Sequence, residues 1–370
     1  MIIRFLKKIY HTLPLPLRYH LSSMLWWVSY IIKRLVNTFY PTVTLITPAS
    51  GSQQSLSFGY IGNIHQGTRF YLSEKLAGKD FNTKNLGRRW AWAASGILRK
   101  NHPDCVLILD ETPFGRRGCG HGEKSFRLPC WVDMQLDLPG PIDQNANDQL
   151  KKTLRKIAEN RLASVVSNDP EDFDHFYHNL YRPYIKSRYT GSALIGEYAK
   201  LKKQFDRGGL ILVKQDSRIL SGGLFDIYHN LFRFRVIGVK DNNQSCIQQG
   251  VIGALYYYLL IEMKKRGFSS IHLGGTRPFL SNGVTNYKLS WGARLIEKNR
   301  NSCLSLILLQ DTADLRQFLI NNPFIHCKNK HLHCAVFFLR KSDYTGRRRR
   351  KIEDGSRCPG AKGTDVTFLE

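Results

Sequence analysis

Gly208-Gly-Leu-Ile-Leu-Val-Lys214, Ile219-Leu-Ser-Gly-Gly-Leu-Phe-Asp-Ile-Tyr228 and Leu231-Phe-Arg-Phe-Arg-Val-Ile-Gly-Val239 are three apolar runs, separated by the polar turns Gln215 to Arg218 and His229-Asn230. Short alternating runs with turns between them predict an antiparallel three-stranded meander. A polar loop, Lys240 to Gln249, delivers the chain to Gly250, and there the period changes. Val251, Ala254, Leu255, Tyr258, Leu259 and Met263 recur at helical spacing as far as Arg266-Gly267, where glycine suits a helix end. Ser270 to Gly274 reads as a further strand, and Asn282 to Trp291 as a short helix closed by Gly292.

A strand that feeds a glycine-containing loop and then a helix presents unpaired N–H groups and a positive dipole end, a ready anion site. In Gln248-Gln249-Gly250-Val251-Ile252-Gly253-Ala254 the two glycines have a second reading as simple backbone relief. The order meander, loop, helix, strand, helix resembles the core of the GNAT acyltransferase fold, and Tyr287-Lys288-Leu289-Ser290-Trp291-Gly292 is similar to the Tyr-Lys-x-x-aromatic-Gly ending of its FemAB and BioF-like branch. The resemblance reaches back to about Leu128. It implies an α/β (α+β) fold with a mixed, mostly antiparallel central sheet, in two GNAT-like halves as in FemAB proteins. It also implies a pyrophosphate of acyl-CoA (acetyl-CoA) held around Gln249, Gly250, Val251, Gly253 and Ala254, with no metal. One departure stands out: the usual loop carries Gln or Arg, then Gly three and Gly or Ala five positions later, whereas Gly253 has Gly250 three before it and Leu255 two after. FemAB-type enzymes use aminoacyl-tRNA, so the mismatch bears on the donor more than on the fold.

The 370 residues are long enough for two domains, and 42 % hydrophobic and 12 % aromatic residues exclude global disorder. The net charge of +26, from 55 Lys and Arg over 29 acids, favours an anionic partner: nucleic acid, a phosphorylated donor or an acidic membrane face. A generally basic solvated surface is the other reading. Eight cysteines without regular spacing read as reduced thiols in a cytoplasmic protein.

Four segments follow from composition. Residues 1–45 carry six basic residues and no acid, and their apolar part, Leu21 to Ile32, is too short to span a bilayer. It reads either as a helix packed on the domain or as an interfacial helix touching anionic membrane. Residues 46–165 read as an α/β domain, with a helix from Asn82 to Lys100 whose inner side includes Trp90, and a buried strand over Cys105 to Leu109. Gly115 to Gly122 is a glycine-rich loop with two arginines that could hold a phosphate, but no helix pattern starts directly after it and it is expected to be mobile. Leu128 to Leu138 reads as one strand, and Asp148 to Leu162 as a basic amphipathic helix, either a solvated face or an electrostatic guide for a polyanionic donor. Residues 166–340 form the GNAT-like domain in this reading. Asp169-Pro170-Glu171-Asp172 starts a helix, and Tyr181 to Tyr189 mixes aromatics and cations that either grip an acceptor or pack with hydroxyls at the rim. His326, Cys327, His331, His333 and Cys334 suit a hairpin better than a closed tetrahedral zinc site. Residues 341–370, with five cations at Arg347 to Lys351, read as a disordered tail.

Acyl transfer to an amine needs a held carbonyl, a donor for the oxyanion, a base for the amine and an acid for the leaving group. The third run, 231–239, would offer backbone groups for the first two, and Ile237, Gly238 and Val239 at its end are expected to join the cofactor site. Asp226, His229 and His272 are the candidate bases, each with an alternative as an ordinary polar residue. Tyr287 is the preferred acid; the family's tyrosine lies four residues before the final glycine, where this chain has Lys288, and the resemblance to the Tyr-Lys-x-x-aromatic-Gly branch implies that Lys288 instead neutralises a phosphate or stabilises the carbonyl. The expectation is an N-acyltransferase using acyl-CoA on an unknown amine. A FemAB-like transferase using aminoacyl-tRNA on a cell-wall or related amine is the second reading, and a non-catalytic RNA- or membrane-binding protein the third.

Overall fold

The computed structural model describes residues 35–49, 56–63, 66–102, 106–110, 124–138, 140, 142, 147–189, 195–297, 302–346, 349–350 and 358–370. The expected helix over Leu21 to Ile32, the loop Gly115 to Gly122 and most of the cation run Arg347 to Lys351 lie outside them. The chain divides into two compact units, Met1–Ser125 with Leu304–Thr312, and Phe126–Cys303 with Ala313–Glu370.

In the first unit, β1 (Thr42–Pro48), β2 (Phe58–Ile61), β3 (Phe81–Arg88), β4 (Val106–Asp110) and β13 (Cys303–Leu308) lie in the order β3-β1-β2-β4-β13. β4, Val-Leu-Ile-Leu-Asp, is buried throughout, as a central strand flanked on both sides should be. Helices α1 (Gln66–Ala77) and α2 (Ala91–Asn101) belong to this unit. The helix expected over Asn82 to Lys100 is corrected to β3 followed by α2: Phe81 to Arg88 pairs antiparallel with β1, a long-range partner that local periodicity cannot reveal. Trp90 consequently lies outside, and Ala94, Ser95 and Leu98 form the inner face of α2.

The second unit begins within β5 (Lys124–Pro129), which ends at Cys130-Trp131 before β6 (Val132–Asp137), so the single strand expected over Leu128 to Leu138 is two. Its main sheet holds β6 with β7 (Leu162–Ser167), β8 (Gly208–Gln215), β9 (Arg218–Tyr228), β10 (Leu231–Val239), β11 (Ser270–Thr276) and β12 (Arg294–Ile296), in the order β12-β6-β11-β10-β9-β8-β7. The meander β8-β9-β10 is antiparallel as its alternation predicts, and β11 joins β10 in parallel. β6 enters between β11 and β12, which moves the boundary from the expected 165 to Ser125.

Helices α3 (Asp148–Glu159), α4 (Pro170–His175), α5 (Arg182–Tyr189), α6 (Tyr198–Phe205), α7 (Gln244–Gln248), α8 (Val251–Lys265), α9 (Gly283–Ser290) and α10 (Ala313–Asn321) complete the unit. A π-helical stretch, Phe176–Tyr181, lies between α4 and α5. Asp169 caps α4 as expected, its side chain accepting from Glu171 N–H at 2.9 Å. Of the residues whose spacing announces it, α8 buries Val251, Ala254, Leu255, Leu259 and Met263 and leaves Tyr258 half-buried.

A small sheet holds β14 (Phe324–Lys328), β15 (His331–Phe338) and β16 (Gly363–Phe368). The β14–β15 hairpin turns at Asn329-Lys330, both with left-handed φ, and pairs His326 with His333. β16 corrects the expectation of a disordered tail, since His333 to Phe338 offers a free edge to Gly363 to Phe368. Among the described residues no helix is long and apolar enough to cross a membrane.

Candidate functional site

β10 and β11 are registered at only two positions, Phe232 with Ile271 and Arg233 with His272. Beyond them β10 carries an irregularity between Phe234 and Val236, and β11 turns at Gly274, whose φ of 73° is left-handed. A bulge on one strand and a glycine turn on its neighbour end the ladder, and the two strands part. A cavity of about 630 Å³ lies there, walled by Phe234 to Ile237 of β10 and Leu273 to Gly275 of β11. Lys152, Thr153 and Lys156 of α3 also line it, as do Tyr184, Ile185 and Arg188 of α5 and Gly250, Ile252 and Gly253 at the start of α8. Tyr287 and Lys288 of α9 complete the lining. Among its described lining residues five are cations, Lys152, Lys156, Arg188, Arg235 and Lys288, and none is an acid. In a confined site cations without acids select an anion.

α9 is placed by its own cap. Asn282 accepts from Val284 N–H at 3.0 Å and Thr285 N–H at 3.3 Å, and Thr285 Oγ1 lies 2.6 Å from Thr276 Oγ1 of β11. This seats Lys288, only 4 % exposed, under the turn in β11. Its Nζ donates to the carbonyls of Gly274 at 3.1 Å and Gly275 at 3.0 Å. Burial lowers the Lys288 ammonium to about 8, with nearby Asp133 acting in the opposite direction. Gly292, at φ 86°, closes the helix, and Trp291 stacks on Tyr256 with centroids 5.5 Å apart. Tyr287 meets Tyr256 edge-on at 5.2 Å, and burial raises its phenol to about 12 while the neighbouring indole of Trp291 acts the other way.

The loop before α8 is held from one side by α3. Lys156 Nζ donates to the Gln248 carbonyl, and Asn160 Nδ2 to that of Gln249 at 3.1 Å. The N–H groups of Gln249 and Gly250 donate to the carbonyls of Ser245 and Ile247 at 2.9 and 3.1 Å. The first-turn amides of α8, from Val251 to Gly253, are thus the ones a helix start leaves for a ligand. Gly250 has φ 94°, and a Cβ there would lie 2.8 Å from Lys156 Cδ. A Cβ on Gly253 would lie 2.8 Å from Thr153 Oγ1. Both glycines allow α3 to lie across the start of α8.

Of the sequence-predicted site residues, Tyr287, Lys288, Ile237, Gly250 and Gly253 meet at this cavity. Gly238, Val239, Gln249, Val251 and Ala254 do not line it. Val239, Val251 and Ala254 are fully buried, and a Cβ on Gly238 would lie 2.5 Å from Tyr181 N. Asp226 is corrected from base to structural anion. It is fully buried, and its carboxylate accepts two-point bonds from Arg233 and Arg235 and a longer one from Arg207 at 3.4 Å. Burial opposes its charge, yet the bonds from Arg235 and Arg233 outweigh it and hold the carboxyl below the usual range. His272 also lies off the cavity: its Nδ1 accepts from Gly274 N–H at 3.1 Å, and its Nε2 lies 3.5 Å from Asp133 Oδ2. His229 sits in the β9–β10 turn with φ 50°, exposed to solvent. Arg235 was missed; its alternation with Arg233 along β10 was the available signal. Among the described residues no group of three or more His, Cys, Asp or Glu side chains is placed to hold a metal.

No family model matches the chain, and no curated protein matches it. Solved structures do. FemX is 13 % identical with a TM-score of 0.37, over 76 % of this chain and 91 % of that one. L-PGS from Bacillus licheniformis is 12 % identical at 0.36, over 75 % and 85 %. A GCN5-related N-acetyltransferase from Sphaerobacter thermophilus is 10 % identical at 0.33, over 69 % and 71 %. Activity and substrate therefore rest on the residues of the chain itself.

Proposed function

We propose that the protein transfers an acyl group from a phosphorylated carrier, acyl-CoA in the first reading, to an amine. The observation that carries this is Lys288, a nearly buried ammonium bound to the carbonyls of Gly274 and Gly275 where β10 and β11 part, within a cavity whose described lining holds five cations and no acid. An ammonium has three donors. Two serve the carbonyls, and the third is available to the oxygen of a reacting acyl group, where charge develops in the transition state. Lys152, Lys156, Arg188 and the α8 start would face the carrier's phosphates.

The amine nitrogen forms a bond to the acyl carbon and loses a proton as the carrier's sulfur or oxygen departs and gains one. None of the described lining residues is a carboxylate, so the amine enters as the free base or releases its proton to solvent. Tyr287 is the acid for the leaving atom. A phenol near 12 matches the alkoxide of a ribose hydroxyl better than a thiolate, which favours aminoacyl-tRNA as the second reading.

Thermal shift decides between them. Acetyl-CoA should raise the melting temperature in the first reading, and aminoacylated tRNA but not free tRNA in the second. Binding of either by wild type without turnover, unchanged in Lys288→Ala, would leave only the non-catalytic reading.

A further inference from the structure

Unit one bears an apolar surface that no part of the transfer reading uses. Trp92 is 69 % exposed, Trp90 52 % and Leu35 50 %, with Val36 and Tyr40 exposed close to Leu35 in the sequence. The indoles of Trp90 and Trp92 stack at 4.9 Å and 11°, and Tyr40 lies 5.2 Å from Trp90. Arg89 N–H donates to the Pro41 carbonyl at 3.0 Å, which joins Tyr40-Pro41, at the end of the Leu35 to Pro41 stretch, to Arg89-Trp90. Exposed aromatic and aliphatic side chains gathered in one place mark an interaction surface.

The sequence that carries the two tryptophans has charge of one sign. Phe81 to Lys100 contains five Lys and Arg, Lys84, Arg88, Arg89, Arg99 and Lys100, and no acid. Lys84, Arg88 and Arg89 are exposed on or just after β3, an edge strand of its sheet. Lys33-Arg34 directly precede Leu35, and the segment before them is apolar with Trp26-Trp27 and carries no acid.

We infer that this patch docks the protein on an anionic lipid bilayer, with Trp90, Trp92, Leu35 and Val36 at head-group depth and the arginines on lipid phosphates. Indoles settle at the membrane–water interface, aliphatic side chains gain by entering the acyl boundary, and guanidinium groups bind phosphate. Single-stranded nucleic acid suits the patch less well. Bases stack on separate ring faces, whereas Trp90 and Trp92 turn faces toward each other, and Leu35 and Val36 offer no ring.

Flotation of the full-length chain with vesicles of phosphatidylcholine, with or without phosphatidylglycerol, tests this. Wild type should float with the anionic vesicles, less so as salt rises, with a blue-shifted indole emission. The Trp90→Ala/Trp92→Ala variant should partition at least about tenfold more weakly. Its melting temperature should stay close to wild type, because most of Trp92 and half of Trp90 already face water. Arg88→Glu/Arg89→Glu should lower binding to the anionic vesicles alone. Wild type that fails to float, a tryptophan variant that floats equally well, or retention of single-stranded RNA in place of vesicles would each overturn the inference.

Discussion

Arg235, in the cavity wall, grips the fully buried Asp226 at two points, Nε to Oδ1 at 2.7 Å and Nη2 to Oδ2 at 3.0 Å. Arg233 makes a second two-point bond, at 3.0 and 2.8 Å, so one carboxylate anchors two strand cations. Asp226→Asn keeps the shape and removes the charge, leaving partly buried guanidinium groups uncompensated, a loss of about 3–5 kcal/mol. Because the folded carboxyl titrates below its unfolded value, its contribution is present above the unfolded range and is lost as pH falls through the folded one. Chemical denaturation from neutral to acid pH should therefore show a falling limb in wild type that is smaller in Asp226→Asn. A variant of undiminished stability but no activity would return Asp226 to catalysis.

Lys288→Met should lower kcat/KM by about 10²-fold or more, the scale of losing a donor to a developing oxyanion. Folding should survive, since removing a buried charge relieves its desolvation. The folded ammonium titrates near 8 against an unfolded 10.5, so the unfolded chain binds more protons between those values. Wild-type stability should gain a rising contribution from about pH 8 to 10.5 that is missing in Lys288→Met, while activity falls through about pH 8 if the ammonium is the working form. A variant with wild-type turnover and an unchanged alkaline limb would remove Lys288 from the reaction.

Tyr287→Phe separates the acid from the electrostatic donor. Removing the phenol should lower kcat by about 10²-fold with KM little changed, the lower range for a general acid. The phenol stays protonated to about 12, so the loss of activity near pH 8 should persist in this variant. Disappearance of that limb in Tyr287→Phe would assign it to the phenol.

The second half of the fold was legible because its signals are local. The β8–β10 alternation, the α8 spacing and the Tyr287 to Gly292 ending each lie within a few turns of chain. What stayed hidden is long-range. β6 enters the main sheet between β11 and β12, β3 pairs with β1 where a helix was expected, and β16 finds the edge of β15 across a stretch of polar sequence. At the cavity, Tyr287, Lys288 and the glycines Gly250 and Gly253 could be named from sequence. The bases could not: Asp226 looks the same on paper whether it faces a ligand or lies beneath two arginines. Arg188 and Lys156 reach the cavity from helices whose charge could equally have faced solvent, and only packing decides between those outcomes.

Gly250 and Gly267 offer a matched pair, since both hold left-handed φ, 94° and 81°, at opposite ends of α8. Alanine costs about 1 kcal/mol or more at either position from backbone strain alone. The surroundings differ: nothing lies within 4 Å of a Cβ at Gly267, while one at Gly250 meets the Lys156 stem at 2.8 Å, on the cavity wall. Gly267→Ala should therefore lower the melting temperature with carrier affinity intact. Gly250→Ala should lower the melting temperature at least as far and also weaken carrier binding about tenfold, as Lys156 and the first turn of α8 shift apart. Equal carrier affinities in the two variants, measured by calorimetry with whichever carrier stabilises wild type, would show that the α8 start holds no phosphate.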